Sequence, residues 1–295
     1  MHEENPLKTA VVLDERGILE VAGSQRRPFL QGLISADVEQ VTAARAAYGA
    51  LLTPQGKFLF DFFIAELGDA FLLDTDTERL PELQKRLTMY KLRSDVTLTD
   101  RSGDLAAVAL LGDVPGLDET AGTALPCDGG IVYTDPRSAR LKARAMLPRT
   151  DLAQALARIG FEPGRIEDYE RHRIAVGAPD ARRDLEADRT LLLEANFDAF
   201  NGVSFGKGCF VGQELTARTK YRGNVRRRLY PVALDGTAAP GARVAMGDKE
   251  VGDLRSVAGD RGIAMLRIED VEKAAAENLP LTADGAVLRI ESVAP

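Results

Sequence analysis

Apolar and polar positions alternate with a two-residue period through much of the first third of the chain. Val11 to Val21 alternates around Arg16-Gly17, a hairpin-like turn. Tyr48 to Thr53 and Phe58 to Leu67 predict strands, and Pro54-Gln55-Gly56-Lys57 between them is a strong turn signal. In the second strand Phe58, Phe60 and Phe62 alternate with Leu59, Asp61 and Phe63, which sets Asp61 on an exposed strand face in one reading. Gly23-Ser24 opens a helix over Gln25 to Leu33, with Ser24 as N-cap. Gly68-Asp69 turns the chain into a strand over Phe71 to Asp74. Thr77 to Arg93 then reads as a helix, with Leu80, Leu83, Leu87 and Tyr90 on one stripe. Strands follow near Val96 to Thr99 and Ala106 to Leu111.

The middle of the chain mixes both periods. Asp113 to Gly130 is rich in Gly, Pro and Asp and reads as a linker-like loop. Ile131 to Tyr133 and Arg144 to Leu147 resume strand character. Asp151 to Ile159 is a helix capped by Thr150 or Asp151, and Ile166 to Val176 is another, stopped by Gly177 and Pro179. From Arg227 the texture changes. Leu229 to Leu234, Ala242 to Met246, Lys249 to Ser256, Gly262 to Arg267 and Val287 to Glu291 are short strands between Gly or Asp turns, the pattern of a small β-barrel or sandwich. The order of elements predicts an α+β fold with helices on one sheet face. The boundaries are 1–112 for a first α+β unit, open to completion by later segments, 113–229 for a second, and 230–295 for the barrel.

Composition narrows the function classes. The 295 residues suit two or three domains, and a net charge of -7 argues against global nucleic-acid binding. The two cysteines build no disulfide framework and fit a reducing compartment. The N-terminus, MHEENPLK, has neither the apolar core of a secretory signal nor a basic presequence, so a cytoplasmic location is expected. No run approaches the ~20 apolar residues that span a bilayer, and no membrane partner is expected. With His2 and His172 as the only histidines, no self-contained metal site is expected.

The chemistry concentrates in Lys207-Gly208-Cys209-Phe210-Val211-Gly212-Gln213-Glu214. A thiolate next to a cation is reactive, glycines admit close approach of a ligand, and Gln213 and Glu214 offer an amide and a carboxylate. Lys207 and Arg218 are placed to lower the Cys209 pKa or to meet an anion. Equally, Cys209 could be a small buried thiol in a glycine-rich turn, and Gln213 the start of a helix whose dipole favours Glu214. Arg218, Lys220, Arg222, Arg226, Arg227 and Arg228 put six cations within eleven residues. They read as a phosphate-binding patch, such as for tRNA, or as a solvated strand edge.

The stretch Leu193 to Leu229, which holds this motif, resembles the signature of the YgfZ family of folate-binding-like proteins, relatives of the glycine cleavage T-protein (aminomethyltransferase). FLQGLISADV (Phe29 to Val38), LLTPQGKFLFDFFI (Leu51 to Ile64) and RIAVGAP (Arg173 to Pro179) resemble further family segments in the same order. The resemblance implies a T-protein (GcvT)-like fold of two intertwined ferredoxin-like α+β units plus a C-terminal β-barrel. It implies a factor for [4Fe-4S] cluster assembly or repair, nearest the mitochondrial-type branch, with Cys209 as the essential thiol. Implied partners are iron–sulfur assembly proteins, client cluster enzymes including tRNA-modification enzymes, and a folate-like small molecule. The alternative it implies is a tetrahydrofolate-dependent aminomethyl- or methyltransferase with Asp61 as acid/base. Lys207 and Asp61 join Cys209 as candidate catalytic residues; Gly208, Gln213, Glu214, Arg218 and Arg173 are the candidate tetrahydrofolate-binding residues. Where T-proteins place a pterin-anchoring acid, this chain has Ala175, which accepts no hydrogen bond.

Overall fold

The computed structural model describes residues 8–223 and 225–293, so His2 and all but the end of the MHEENPLK segment lie outside it. The chain divides into two compact units. Unit one is built from the chain up to Leu52, from Leu59–Tyr169 and from Asn201–Val211; unit two holds Thr53–Phe58, Glu170–Phe200 and the chain from Gly212 onward.

The first eleven strands are β1 (Thr9–Val12), β2 (Arg16–Ala22), β3 (Ala47–Leu52), β4 (Phe58–Leu67), β5 (Ala70–Asp76), β6 (Thr97–Asp100), β7 (Leu105–Leu111), β8 (Ala124–Cys127), β9 (Gly130–Thr134), β10 (Ala143–Pro148) and β11 (Glu162–Pro163). The helices among them are α1 (Arg26–Gln31), α2 (Leu80–Lys91) and α3 (Leu152–Arg158), with α4 (Ile166–Val176) following. A five-stranded sheet has the order β3-β4-β5-β2-β6, and a six-stranded sheet the order β11-β1-β7-β10-β9-β8. Thus β1 and β7, from the first sequence segment, complete a sheet whose β8 to β11 come from the second.

Strand β4 builds the first core. Phe60 and Phe62 pack with Leu19, Val21, Phe71 and Leu73, and α2 covers them with Leu80, Leu83 and Leu87. Burying each leucine stabilises by about 1.5–3 kcal/mol. Tyr90, expected on the same stripe, is exposed instead. The opposite face of β4 is buried as well, so the reading of Asp61 as an exposed strand residue is corrected: it is 4 % exposed. A second core lies under α3, where Ala155, Leu156 and Phe161 meet Val108, Ala145 and Leu147. Ser24 does not cap α1; its hydroxyl donates to Asp95 at 2.6 Å, and Gln25 holds the N-cap position without capping the helix, its side chain accepting instead from the Asp95 amide at 2.7 Å. The loop expected over Asp113 to Gly130 contains β8, paired antiparallel with β9.

In unit two, α5 (Ala181–Asp184) and α6 (Gln213–Arg222) precede β12 (Arg227–Asp235), β13 (Arg243–Met246), β14 (Lys249–Ala258), β15 (Arg261–Arg267), α7 (Ile268–Glu277), β16 (Leu281–Ala283) and β17 (Ala286–Ile290). The six strands close into a barrel in the order β12-β15-β14-β13-β16-β17. Register shifts at Val244/Ala245 and Leu254/Ser256 supply the bends that closure demands. Val232, Val244, Leu254, Leu266 and Leu288 fill its core. The cationic run is not one strand edge: Arg218 to Arg222 are helical, and Arg227 and Arg228 open β12.

Candidate functional site

Residues 201–211 form a loop that is tied along Gly32–Ala36 by polar contacts. The Ser35 hydroxyl donates to the Gly202 carbonyl at 2.6 Å and accepts from the Ala50 amide at 2.8 Å. The Ser204 and Val211 amides donate to the Ser35 and Gly32 carbonyls. The Lys207 ammonium donates to the carbonyls of Ile34 (2.8 Å) and Ala36 (2.6 Å) and lies 5.3 Å from the centre of the Phe210 ring. Burial pulls its pKa down to about 8, against the opposing pull of the Asp37 and Glu39 carboxylates. Lys207 is therefore a clamp on this loop. Phe210 turns inward, whereas Cys209 is exposed to solvent, which removes the reading of a buried thiol. The space around the Gly208 α-carbon is open, with nothing within 4 Å of where a methyl would stand.

Beside the clamp, unit one has a cavity of about 340 Å³, within the size range of small-molecule sites. Ala36 and Asp37 border it next to the Lys207 acceptors, Arg45 and Tyr48 line another side, and Asn201 and Ser204 come from the loop. Asn201 is held by donating its side-chain amide to the Pro136 carbonyl at 3.1 Å. Arg45 is exposed and, among the described residues, makes no ion pair.

Tyr48 links this cavity to a buried ionic network. Its hydroxyl donates to Asp61 at 3.2 Å, and burial followed by the Asp61 charge pushes its pKa well up, so the phenol stays protonated. Asp61 accepts from Arg16 at 3.1 Å, Arg16 donates to Asp74 at 2.6 Å, and Arg144 reaches the other Asp74 oxygen at 2.6 Å. Arg137 pairs with Asp135 at 2.8 Å. The guanidinium groups of Arg16, Arg137 and Arg144 lie 5.5, 4.8 and 3.9 Å from the Phe63 ring centre. Burial alone would raise the Asp74 pKa, but Arg16 and Arg144 hold it below the usual value. Three arginines thus face three aspartates, and the charges balance. Asp61 is committed to this network.

The remaining predicted residues belong to unit two. Gln213 begins α6, Glu214 follows in its first turn, and both Glu214 and Arg218 are exposed. Arg173 is corrected as a ligand-binding candidate. It is fully buried, and its five N–H donors go to Glu170 twice, the Ala178 carbonyl, Asp184 and the Ser256 hydroxyl. It ties α4 to α5 and to β14 and leaves no donor for a ligand. Burial raises the Asp184 pKa even so. The sequence reading passed over Ser35, Arg45 and Tyr48; the polar Tyr48 within an apolar strand was the available signal. Among the described residues, no group of three or more His, Cys, Asp or Glu is placed to hold a metal ion.

Two α+β sheets followed by a closed six-strand barrel define the class: a T-protein-like fold. Comparison with solved structures agrees. The glycine cleavage system aminomethyltransferase T from Bartonella henselae superposes with a TM-score of 0.79 at 14% identity, over 97% of this chain and 86% of that one. Residues 226–294 match the family described as CAF17, C-terminal beta-barrel domain. The chain is 37% identical over 286 residues to "Iron-sulfur cluster assembly factor IBA57, mitochondrial" of Mus musculus, covering 90% of this chain and 79% of that protein. The Homo sapiens protein of the same name is 36% identical over 285 residues, 88% of this chain and 78% of its own length. The chain belongs to the family of iron-sulfur cluster assembly factor IBA57. That match does not single out YgfZ, and the likeness to the T-protein is one of fold. The cytoplasmic location is overturned by the same comparison, because these relatives are named as mitochondrial factors.

Proposed function

We propose that this protein is an assembly or repair factor for [4Fe-4S] proteins, with Cys209 as the thiol that meets the cluster cargo. The observation that carries this reading is an exposed Cys209 on a loop clamped by Lys207, in a chain whose relatives are named for iron–sulfur cluster assembly. One thiolate does not hold a cluster that ordinarily takes four protein ligands. The other ligands come from an assembly partner or from the client. Deleting the gene lowers the activity of [4Fe-4S] enzymes. Wild type and Cys127→Ser restore it, and Cys209→Ser does not. Full rescue by Cys209→Ser rejects the thiol, and unchanged enzyme activity in the deletion strain rejects the role.

The unit-one cavity favours a second reading, in which a folate-like molecule binds and the protein transfers an aminomethyl or methyl group. Arg45 suits a carboxylate tail, and Asp37 and Asn201 suit the donors and acceptors of a ring. The tetrahydrofolate-binding role given to Arg173 has no support in its contacts. Titration with tetrahydrofolate decides: no saturable binding at millimolar ligand removes this reading, and turnover of an aminomethyl donor promotes it over the first. Clients that modify tRNA, with tRNA contact through Arg218, Arg222 and Arg226, extend the first reading. Salt-dependent tRNA binding lost on reversing these charges supports that extension; absent or salt-insensitive binding rejects it.

A further inference from the structure

The C-terminal end of α2 has surface chemistry unlike the rest of the chain. The helix buries Leu80, Leu83 and Leu87, so its apolar stripe is already used. Beyond it, Met89, Tyr90 and Leu92 project with 61%, 39% and 86% exposure, three large apolar side chains within four residues. Single exposed apolar residues need no explanation, but such a cluster marks an interaction site.

The backbone holds this cluster outward. Leu92 occupies the C-cap of α2 at φ 48° and ψ −108°. This lies outside the αL region in which helices commonly end on glycine or asparagine, and a leucine held at positive φ is strained. The strained residue is also the most exposed of the three. The flanking sequence is cationic. From Arg79 to Asp95 the chain has five cations and two acids, although its net charge is -7. Of the acids, Glu82 already pairs with Arg79 and Arg86. Lys85, Lys91 and Arg93 make no ion pair among the described residues.

We infer that Met89, Tyr90 and Leu92, flanked along the chain by Lys85, Lys91 and Arg93, dock this protein reversibly on an anionic lipid surface. A bilayer yields around side chains that project this far, whereas a protein partner must present a groove already shaped to them. Tyr90 suits the polar–apolar boundary, and the lysines and arginine keep their charges at headgroup level while their stems lie along the apolar layer. Three apolar side chains alone bind weakly; joined to cations they provide the two signals that membrane association needs. The contact is peripheral. No described helix is long and apolar enough to cross a membrane.

The test is flotation of the purified full chain with phosphatidylcholine vesicles containing or lacking phosphatidylglycerol. The protein floats with the anionic vesicles only, and added salt releases it. Leu92→Gly lowers the vesicle partition about tenfold while the melting temperature holds or rises, since glycine removes the strain. A double reversal, Lys91→Glu with Arg93→Glu, lowers the partition about tenfold or more. Equal flotation with both vesicle types overturns the proposal, as does undiminished flotation of Leu92→Gly. No flotation with either also overturns it, and leaves the cluster to an acidic protein partner.

Discussion

Cys209 and Cys127 share a side chain and differ in everything around it. Cys209 is exposed on the clamped loop, whereas Cys127 is half-buried at the end of β8 with its thiol pKa pushed up, first by burial and then by Asp128. An alkylating reagent applied to the folded protein therefore marks Cys209 first, and peptide mass spectrometry locates the adduct. Modification of Cys127 ahead of Cys209 contradicts this. Lys207 gives a pH-dependent signature. Its pKa falls from 10.5 in an ordinary lysine to about 8 here. Between these values the unfolded chain keeps a proton that the native chain has released, so raising pH through the window favours the native state. The gain is absent below about 8 and complete above 10.5. Urea midpoints of wild type and Lys207→Met should diverge in favour of wild type as pH rises from 8 towards 10.5; parallel curves would show that Lys207 does not titrate there. Cys209 and Lys207 were legible as residues because they are neighbours in sequence. What Lys207 does was not legible, since its acceptors Ile34 and Ala36 lie 173 and 171 residues away.

Among the elements, the turn at Gly56 and the loop at Gly208 respond differently to an added methyl group. Gly56 has φ +79°, and a Cβ there would meet the Gly212 carbonyl oxygen and the Leu215 Cβ, both at 2.8 Å, at the start of α6. Gly56→Ala is expected to destabilise by about 1–3 kcal/mol, read from denaturant midpoints. Gly208→Ala should stay within about 0.5 kcal/mol. If it nonetheless impairs cluster-enzyme rescue, Gly208 serves the approach of a ligand or partner; equal destabilisation by both changes would refute the contrast. Helix α4 has the predicted bounds, and α6 starts at Gln213 as the alternative reading had it, because Gly, Pro and charge mark those ends. Helix α7 went unread. It follows β15 without a breaker, yet Ile268, Val271, Ala274 and Ala275 recur at helical spacing, so the signal was present and the short strand before it masked where the helix begins. β16 was missed because three residues are too few to show a period.

For the whole molecule, the least legible feature is the buried ionic network of unit one. Arg16 and Asp74 are 58 residues apart, and Asp74 and Arg144 are 70 apart. Nothing local in the sequence marks them as partners, and an Asp within a phenylalanine-rich strand reads as solvent-facing until a second sheet covers it. Asp74→Asn leaves Arg16 and Arg144 short of a counter-charge and is expected to destabilise by about 3–5 kcal/mol, measured by equilibrium unfolding near neutral pH. Because the native pKa of Asp74 lies below its ordinary 3.8, its contribution is present above 3.8 and fades as pH falls through the native value. The gap between wild type and Asp74→Asn should therefore close only in strong acid. A gap already closed at neutral pH would mean the pairing adds nothing.

That network also makes the two sheets of unit one discriminating about alignment. Arg16 sits opposite Asp76 in the β2–β5 ladder while its guanidinium reaches Asp74 and Asp61. A slip of one position would turn Arg16 to the opposite face and strand its charge among the leucines and phenylalanines beneath α2. Hydrocarbon tolerates small mismatches; an orphaned guanidinium does not. The folded chain is thus guarded against near-miss pairings by an all-or-nothing electrostatic key.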